Sequence, residues 1–135
     1  MLHPSQFQVN GAWIAFQLNH APIWTERDGS FNCIALMDAA SCFIFGMVMA
    51  PIDELEPSNL DVRRLLKMGW AHKKQYPTTL FVPADRFQTI LPAEAKRQGI
   101  SVVAVHESQL LIFTGEAQQG FKERFQSERG ANSEA

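Results

Sequence analysis

A chain of 135 residues, 46% of them hydrophobic, has material for one packed core and none for a second independent domain. With 12 basic residues against 14 acidic ones it carries no global field to hold a polyanion, although a local basic patch stays open. No apolar run nears the roughly 18 residues of a membrane span, so no membrane-spanning helix is expected.

The opening segment, Met1-Leu2-His3-Pro4-Ser5-Gln6, has neither the charged start nor the apolar run of a secretory signal. Ala12–Asn19 begins as a continuous apolar run and ends in alternation, the pattern of a strand. His20–Phe31 collects Pro22, Asp28, Gly29 and Ser30, and the Asp28-Gly29 pair can supply the positive φ of a tight hairpin. Cys33–Asp38 and Phe43–Met49 are almost wholly apolar. With Ala39–Cys42 between them they predict a second hairpin, its strands covered on both faces. Cys33 and Cys42 lack metal-ligand spacing and read as buried, reduced thiols, which makes the cytoplasm the expected address.

Pro51–Pro57 carries Asp53, Glu54 and Glu56 and reads as a solvated loop. Asn59 is the expected cap of a helix reaching about Gln75. Its stripe is Leu60, Leu65, Leu66, Gly69 and Trp70, with Asp61 in the first turn and Lys73-Lys74 in the last. Pro77 stops it, and Thr78–Val82 predicts a short strand. Asp85–Gln98 is helical in pattern, with a bend or restart at Pro92. Gly99 suits the helix end, and the β-branched run Ile100–Val105 predicts a buried parallel strand. After His106, apolar residues at Leu110, Phe113, Ala117, Phe121 and Phe125 predict a last amphipathic helix, with Gly115 and Gly120 against it. The domain is expected over 1–126, followed by a disordered polar tail over 127–135.

The expected fold is α/β, in the order β-β-β-α-β-α-β-α. Hairpins make the first three strands antiparallel neighbours, and right-handed crossovers add the last two in parallel. That predicts a mixed five-stranded sheet in order 3-2-1-4-5 with helices on both faces.

This order resembles the ribonuclease-H-like superfold, and locally the integrase and transposase core, over about residues 12 to 106. The stretch Asp38-Ala39-Ala40-Ser41-Cys42-Phe43-Ile44-Phe45-Gly46 is similar to the family's second-to-third strand hairpin. Asp85-Arg86-Phe87 falls where the family keeps an acid, Gln98-Gly99-Ile100 leads into the last strand as it does there, and Trp13 resembles a tryptophan that opens the first strand. The resemblance implies phosphoryl transfer with two divalent ions, Mg or Mn, held by several carboxylates. It places the bridging acid in the middle of the first strand, where this chain has Phe16, Gln17, Leu18 and Asn19. Asp85 stands at the second acid and is the one candidate metal ligand, with Glu107 and Glu116 loose candidates for the third. The expectation is a degenerate site without catalytic residues or cofactor.

The strand ends nevertheless gather Asn19, His20, Asp85, Arg86, His106 and Glu107, which could bind a ligand or simply end strands and cap helices. Arg63, Arg64, Lys67, Lys73 and Lys74 could form a nucleic-acid surface, or the solvated outer face of a helix. His72 reads as part of a solvated last turn, and Ser41 lacks a nucleophile's glycine elbow. Of the aromatics only Trp24, in a loop, is a candidate exposed contact; Trp13, Phe31, Phe43 and Phe45 read as core. The leading expectation is a non-catalytic ribonuclease-H-like domain with a protein or small-molecule partner. The alternatives are a nuclease with an unconventional metal site and a nucleic-acid-binding module, the latter not favoured.

Overall fold

The computed structural model describes residues 2–27, 29–54 and 56–133, with side chains as far as residue 124. In chain order the elements are β1 (Ala12–Gln17), β2 (Ile23–Thr25), β3 (Gly29–Asp38), β4 (Ile44–Pro51), α1 (Asn59–Lys73), β5 (Thr79–Pro83), α2 (Ile90–Arg97), β6 (Ser101–Val105) and α3 (Leu111–Ser133). Short 3-10 turns precede β1 at Pro4–Gln6 and α3 at Glu107–Gln109.

The long strand β3 organises the sheet. It pairs antiparallel with β1 (Gln17 opposite Ile34, Trp13 opposite Asp38) and with β4. The short β2 was not expected. Phe31 stands opposite both Ile23 of β2 and Pro51 of β4, so β2 lies on the β1 side of β3 and continues the first strand after an interruption at residues 18–22. Asn19 stabilises that interruption. Its Oδ1 accepts the Cys33 N–H at 2.8 Å, and its amide nitrogen donates to the Ala21 carbonyl at 2.9 Å and to Asn32 Oδ1 at 3.0 Å. A side-chain amide thus takes over where a backbone carbonyl would continue the ladder. On the other side β5 joins β1 in parallel and β6 joins β5. The order is β4-β3-β1-β5-β6, with β3 alone antiparallel, as expected apart from the added β2. In the β3–β4 turn, Asp38 accepts from the Asn10 N–H (2.7 Å), the Ser41 N–H (2.9 Å) and the Ser41 hydroxyl (2.7 Å). That ties the segment before β1 to the hairpin.

Alternation in the central strands divides the core. Trp13, Ala15, Ile34, Leu36 and Leu80 meet Val62, Leu65, Leu66, Leu91 and Ala95 of α1 and α2. Ile14, Phe16, Cys33, Ala35 and Phe81 meet Leu110 and Phe113 at the start of α3, with Phe7 beside them. Gly69 allows α1 to close on the Trp13 indole: a Cβ there would lie 2.6 Å from the ring.

Several expectations need correction. The apolar runs predict doubly covered strands, yet β4 and β6 are the sheet's edges. Met47 and Met49 are 42% and 56% exposed and Val103 is 40% exposed. Phe43, expected in the core, is half exposed and stacks on His72 with ring centres 4.7 Å apart. Ser58, one residue before the expected Asn59, caps α1 by accepting the Asp61 N–H. Residues 85–89 form a turn rather than the first part of a helix, and α2 starts at Ile90 with Pro92 in its first turn. Helix α3 spans Leu111–Ser133. Asp28 of the hairpin pair, the Phe125 side chain and residues 134–135 lie outside the described residues.

Candidate functional site

The C-terminal ends of β1 and β5 open beside a cavity of about 430 Å³ on the α1–α2 side of the sheet. Ile34, Ala50 and Phe87 give it an apolar floor, and Gln17, Asn32, Glu54, Asp85 and Arg86 line it with polar groups. That volume lies within the usual range of small-molecule sites.

Gln17 holds the centre. It is the last residue of β1, and alternation turns its side chain away from Phe16 and toward the cavity. Its Oε1 accepts from Arg86 Nη1, and its amide nitrogen donates to the Asn19 carbonyl at 2.7 Å. From α3, Gln118 donates to the Gln17 backbone oxygen at 2.9 Å. The turn after β5 presents Asp85 and Arg86 because Phe87 takes a left-handed φ of 56°, unfavourable for an aromatic residue, while burying its ring. Gln88 braces that turn by donating to the Arg86 carbonyl at 2.8 Å. Glu56, from the loop after β4, closes the far wall. Its carboxylate accepts the N–H groups of Thr89, Ile90 and Leu91 at 2.9–3.1 Å and so caps α2, whose own Thr89 makes no side-chain cap.

Of the six residues expected at the strand ends, the structure brings Asp85 and Arg86 into the cavity wall and leaves the others outside it. Asn19 is buried and spent on the strand interruption. His20 is exposed in that same interruption. His106 caps the 3-10 turn, its Nδ1 accepting from the Ser108 N–H at 3.2 Å, and Glu107 is the turn's exposed first residue. Sequence reading missed Gln17 as a positive feature, along with Asn32, Gln88 and Gln118. The available signal was an amide at the end of an otherwise apolar strand.

The carboxylates lining the cavity are those of Glu54, Glu56 and Asp85. Among the described residues no three His, Cys, Asp or Glu side chains gather closely enough to hold a metal ion. Near the end of β1 the residue on the α3 side is Phe16, buried in one cluster with Phe113, and the α3 residue reaching β1 is an amide, Gln118. Glu116, a loose candidate for the third acid, exerts its charge at Cys42, in the turn at the opposite end of β1. There it joins burial and Asp38 in pushing the thiol up from its ordinary value. Burial alone raises Cys33. In addition, the Arg86 guanidinium donates to Gln17 Oε1, and its charge would repel a cation at the end of β1.

The basic residues of α1 are largely committed elsewhere. Arg63 donates from Nε and Nη2 to Glu94 at 3.0 and 3.2 Å, and Arg97 reaches the same carboxylate at 3.3 Å. The Arg63 hydrogen bond, against the opposing effect of desolvation and helped by Asn59 and Arg97, holds the Glu94 carboxyl below its ordinary value. Arg64 pairs with Asp61, and the Lys74 ammonium lies over the Trp70 ring at 4.8 Å.

No family model and no curated protein matches the chain. Solved structures do. A chain in the simian T-cell lymphotropic virus intasome, determined by electron cryomicroscopy in complex with PP2A regulatory subunit B56 gamma, superposes with a TM-score of 0.57 at 10% identity, covering 94% of this chain and 43% of that one. The catalytic core domain of BIV integrase superposes with a TM-score of 0.54 at 13% identity, covering 90% of this chain and 73% of that one. The fold is a ribonuclease-H-like integrase core. This chain spans less than half of the intasome chain, and at such identities the likeness is one of fold. Within that fold the Gln17–Arg86 cavity is the candidate site of this chain. Among the described residues no helix is long and apolar enough to cross a membrane.

Proposed function

We propose that this chain is a non-catalytic integrase-core-like domain that acts by binding a protein or small-molecule partner at the strand-end cavity, in the cytoplasm. The observation that carries the reading is the Gln17–Arg86 hydrogen bond at the end of β1. Two-metal phosphoryl transfer needs anionic oxygens that bridge the ions. A neutral amide joined to a guanidinium reverses that electrostatic character at the end of β1; of the cavity's carboxylates Glu56 is committed to capping α2, and Asp85 and Glu54 gather no third donor among the described residues. The same groups suit binding, since amides, carboxylates and a guanidinium around an apolar floor can orient a polar ligand.

The test offers single- and double-stranded DNA, RNA and hybrid duplexes to the protein with Mg²⁺ or Mn²⁺. The expected outcome is no cleavage, and no binding of labelled strands tighter than about 1 μM at physiological salt. Cleavage that Asp85→Asn abolishes in a folded protein would overturn the proposal in favour of a metal-dependent nuclease. Tight strand binding weakened by Arg64→Glu and Lys67→Glu would favour a nucleic-acid-binding module.

A further inference from the structure

Strand β4, Ile44–Pro51, forms one edge of the sheet, and among the described residues its only ladder partner is β3. Its sequence, Ile-Phe-Gly-Met-Val-Met-Ala-Pro, has no charged residue. Free edges are commonly protected by a lysine, a bulge, a proline or a covering segment. Here the bulge, opposite Leu36/Met37, lies at one end and Pro51 at the other, so neither interrupts Gly46–Ala50. Exposed apolar side chains flank this stretch. Met47 and Met49 stand on the α3 side, opposite Ala35 and Cys33, and Met68 of α1 packs over Gly46 on the other side.

The edge is also polar along its length. His72 stacks on Phe43, and Lys73 lines a small crevice with Phe43 and Phe45, so the basic end of α1 sits beside the start of β4. The turn leaving the other end carries exposed Asp53 and Glu54. An antiparallel partner of the same sequence would set each basic end against an acidic end, once at each end of the seam. A parallel copy would place like charges together. Faces impose a further condition, because residues opposite one another must point to the same side of a sheet. About a twofold axis this requires one residue to oppose itself. With Val48 in that position, Met47 meets Met49 of the second copy, and four methionines form one apolar seam.

We propose that β4 is a self-pairing edge whose occupant is a second copy of this chain, joined antiparallel about a twofold axis into one continuous sheet. The contact is closed, since the same patch serves both copies. It does not depend on the non-catalytic reading, because a cleaving enzyme with this fold would present the same edge.

The experiment is sedimentation equilibrium of the full chain from about 1 to 100 μM at low and physiological salt. A monomer–dimer equilibrium is expected, weaker as salt screens the end charges. Met47→Lys with Met49→Lys changes only exposed positions and should weaken the dimer at least about tenfold while leaving circular dichroism unchanged. Lys73→Glu, and separately Asp53→Lys with Glu54→Lys, should each weaken self-association. An equimolar mixture of these two charge-altered proteins should restore a dimer, because each then offers the charge the other lacks. A monomer throughout the range, open-ended assembly, a dimer indifferent to the lysine pair, or a mixture that stays monomeric would each overturn the proposal.

Discussion

Replacing Gly69 with alanine sets a local gain against a packing loss at one atom. Alanine inside a helix is favoured over glycine by about 0.8–1 kcal/mol, so on an unobstructed face the change would stabilise α1. Here the new Cβ would lie 2.6 and 2.9 Å from two indole carbons of Trp13 and 3.0 Å from a Leu36 methyl, against 3.4–4 Å for ordinary contact. Neither neighbour has room to retreat. Both side chains are fully buried, and the indole N–H is anchored to Asn10 Oδ1 at 2.8 Å with Phe45 and Tyr76 rings against it. Overpacking of this kind costs about 1–3 kcal/mol, and the pinned ring argues for the upper end. The net expectation for Gly69→Ala is a loss of about 1–2 kcal/mol, or roughly 3–10 °C in Tm for a domain of this size. Urea unfolding followed by circular dichroism, with an unchanged slope, measures it. In a Trp13→Phe background the benzo ring is gone, and the same substitution should become neutral or stabilising. A raised midpoint for Gly69→Ala in the native background would refute the steric account.

Glu56→Ala removes the carboxylate that accepts the N–H groups of Thr89, Ile90 and Leu91, and should cost about 1–2 kcal/mol. Amide hydrogen exchange should quicken first in the opening turn of α2; equal quickening throughout the domain would count against a local cap. Glu94 is held by Arg63, with Asn59 and Arg97, below its ordinary value of 4.5. Its folded-state value is therefore depressed, so its contribution is fully present above about pH 4.5 and is lost as pH falls through the folded value. Urea midpoints of Glu94→Gln should consequently fall less steeply on acidification than those of the native chain.

Local chemistry made much of this fold legible. The β3–β4 hairpin, α1 with its charged ends, and the parallel β5–β6 pair all follow from runs, turns and periodicity within neighbouring stretches of the chain. Features set by distant partners were not legible. An apolar run reads alike in a central strand such as β3 and an edge such as β4, because coverage depends on what lies beside it. The start of α2 was misplaced because its cap comes from Glu56, over thirty residues away, and because Phe87 adopts a left-handed backbone that no glycine announces. At the site, Asp85 and Arg86 were visible as polar residues after a strand. Gln17 became meaningful only through Arg86, 69 residues later. Asn19, a candidate ligand-binding residue by its place at a strand end, has its amide spent on the interruption between β1 and β2.

The position of β1 bears on how this chain folds. On one side lies the antiparallel meander, whose pairings close over short turns. On the other lies the β1–β5 ladder of Ala12–Thr79, Trp13–Leu80 and Ile14–Phe81. This ladder joins parts of the chain 67 residues apart. At its start the Gly11 carbonyl accepts from the Thr78 N–H at 3.2 Å and hydroxyl at 3.0 Å, and Asn10 donates to the Gln75 carbonyl. Closing so long a loop costs entropy before the contacts that reward it exist, whereas the meander bears little of that cost. The short parallel ladder is therefore expected to form late in folding, after the meander. Changes at Gly11 or Thr78 would act first on how fast the two halves of the sheet find each other.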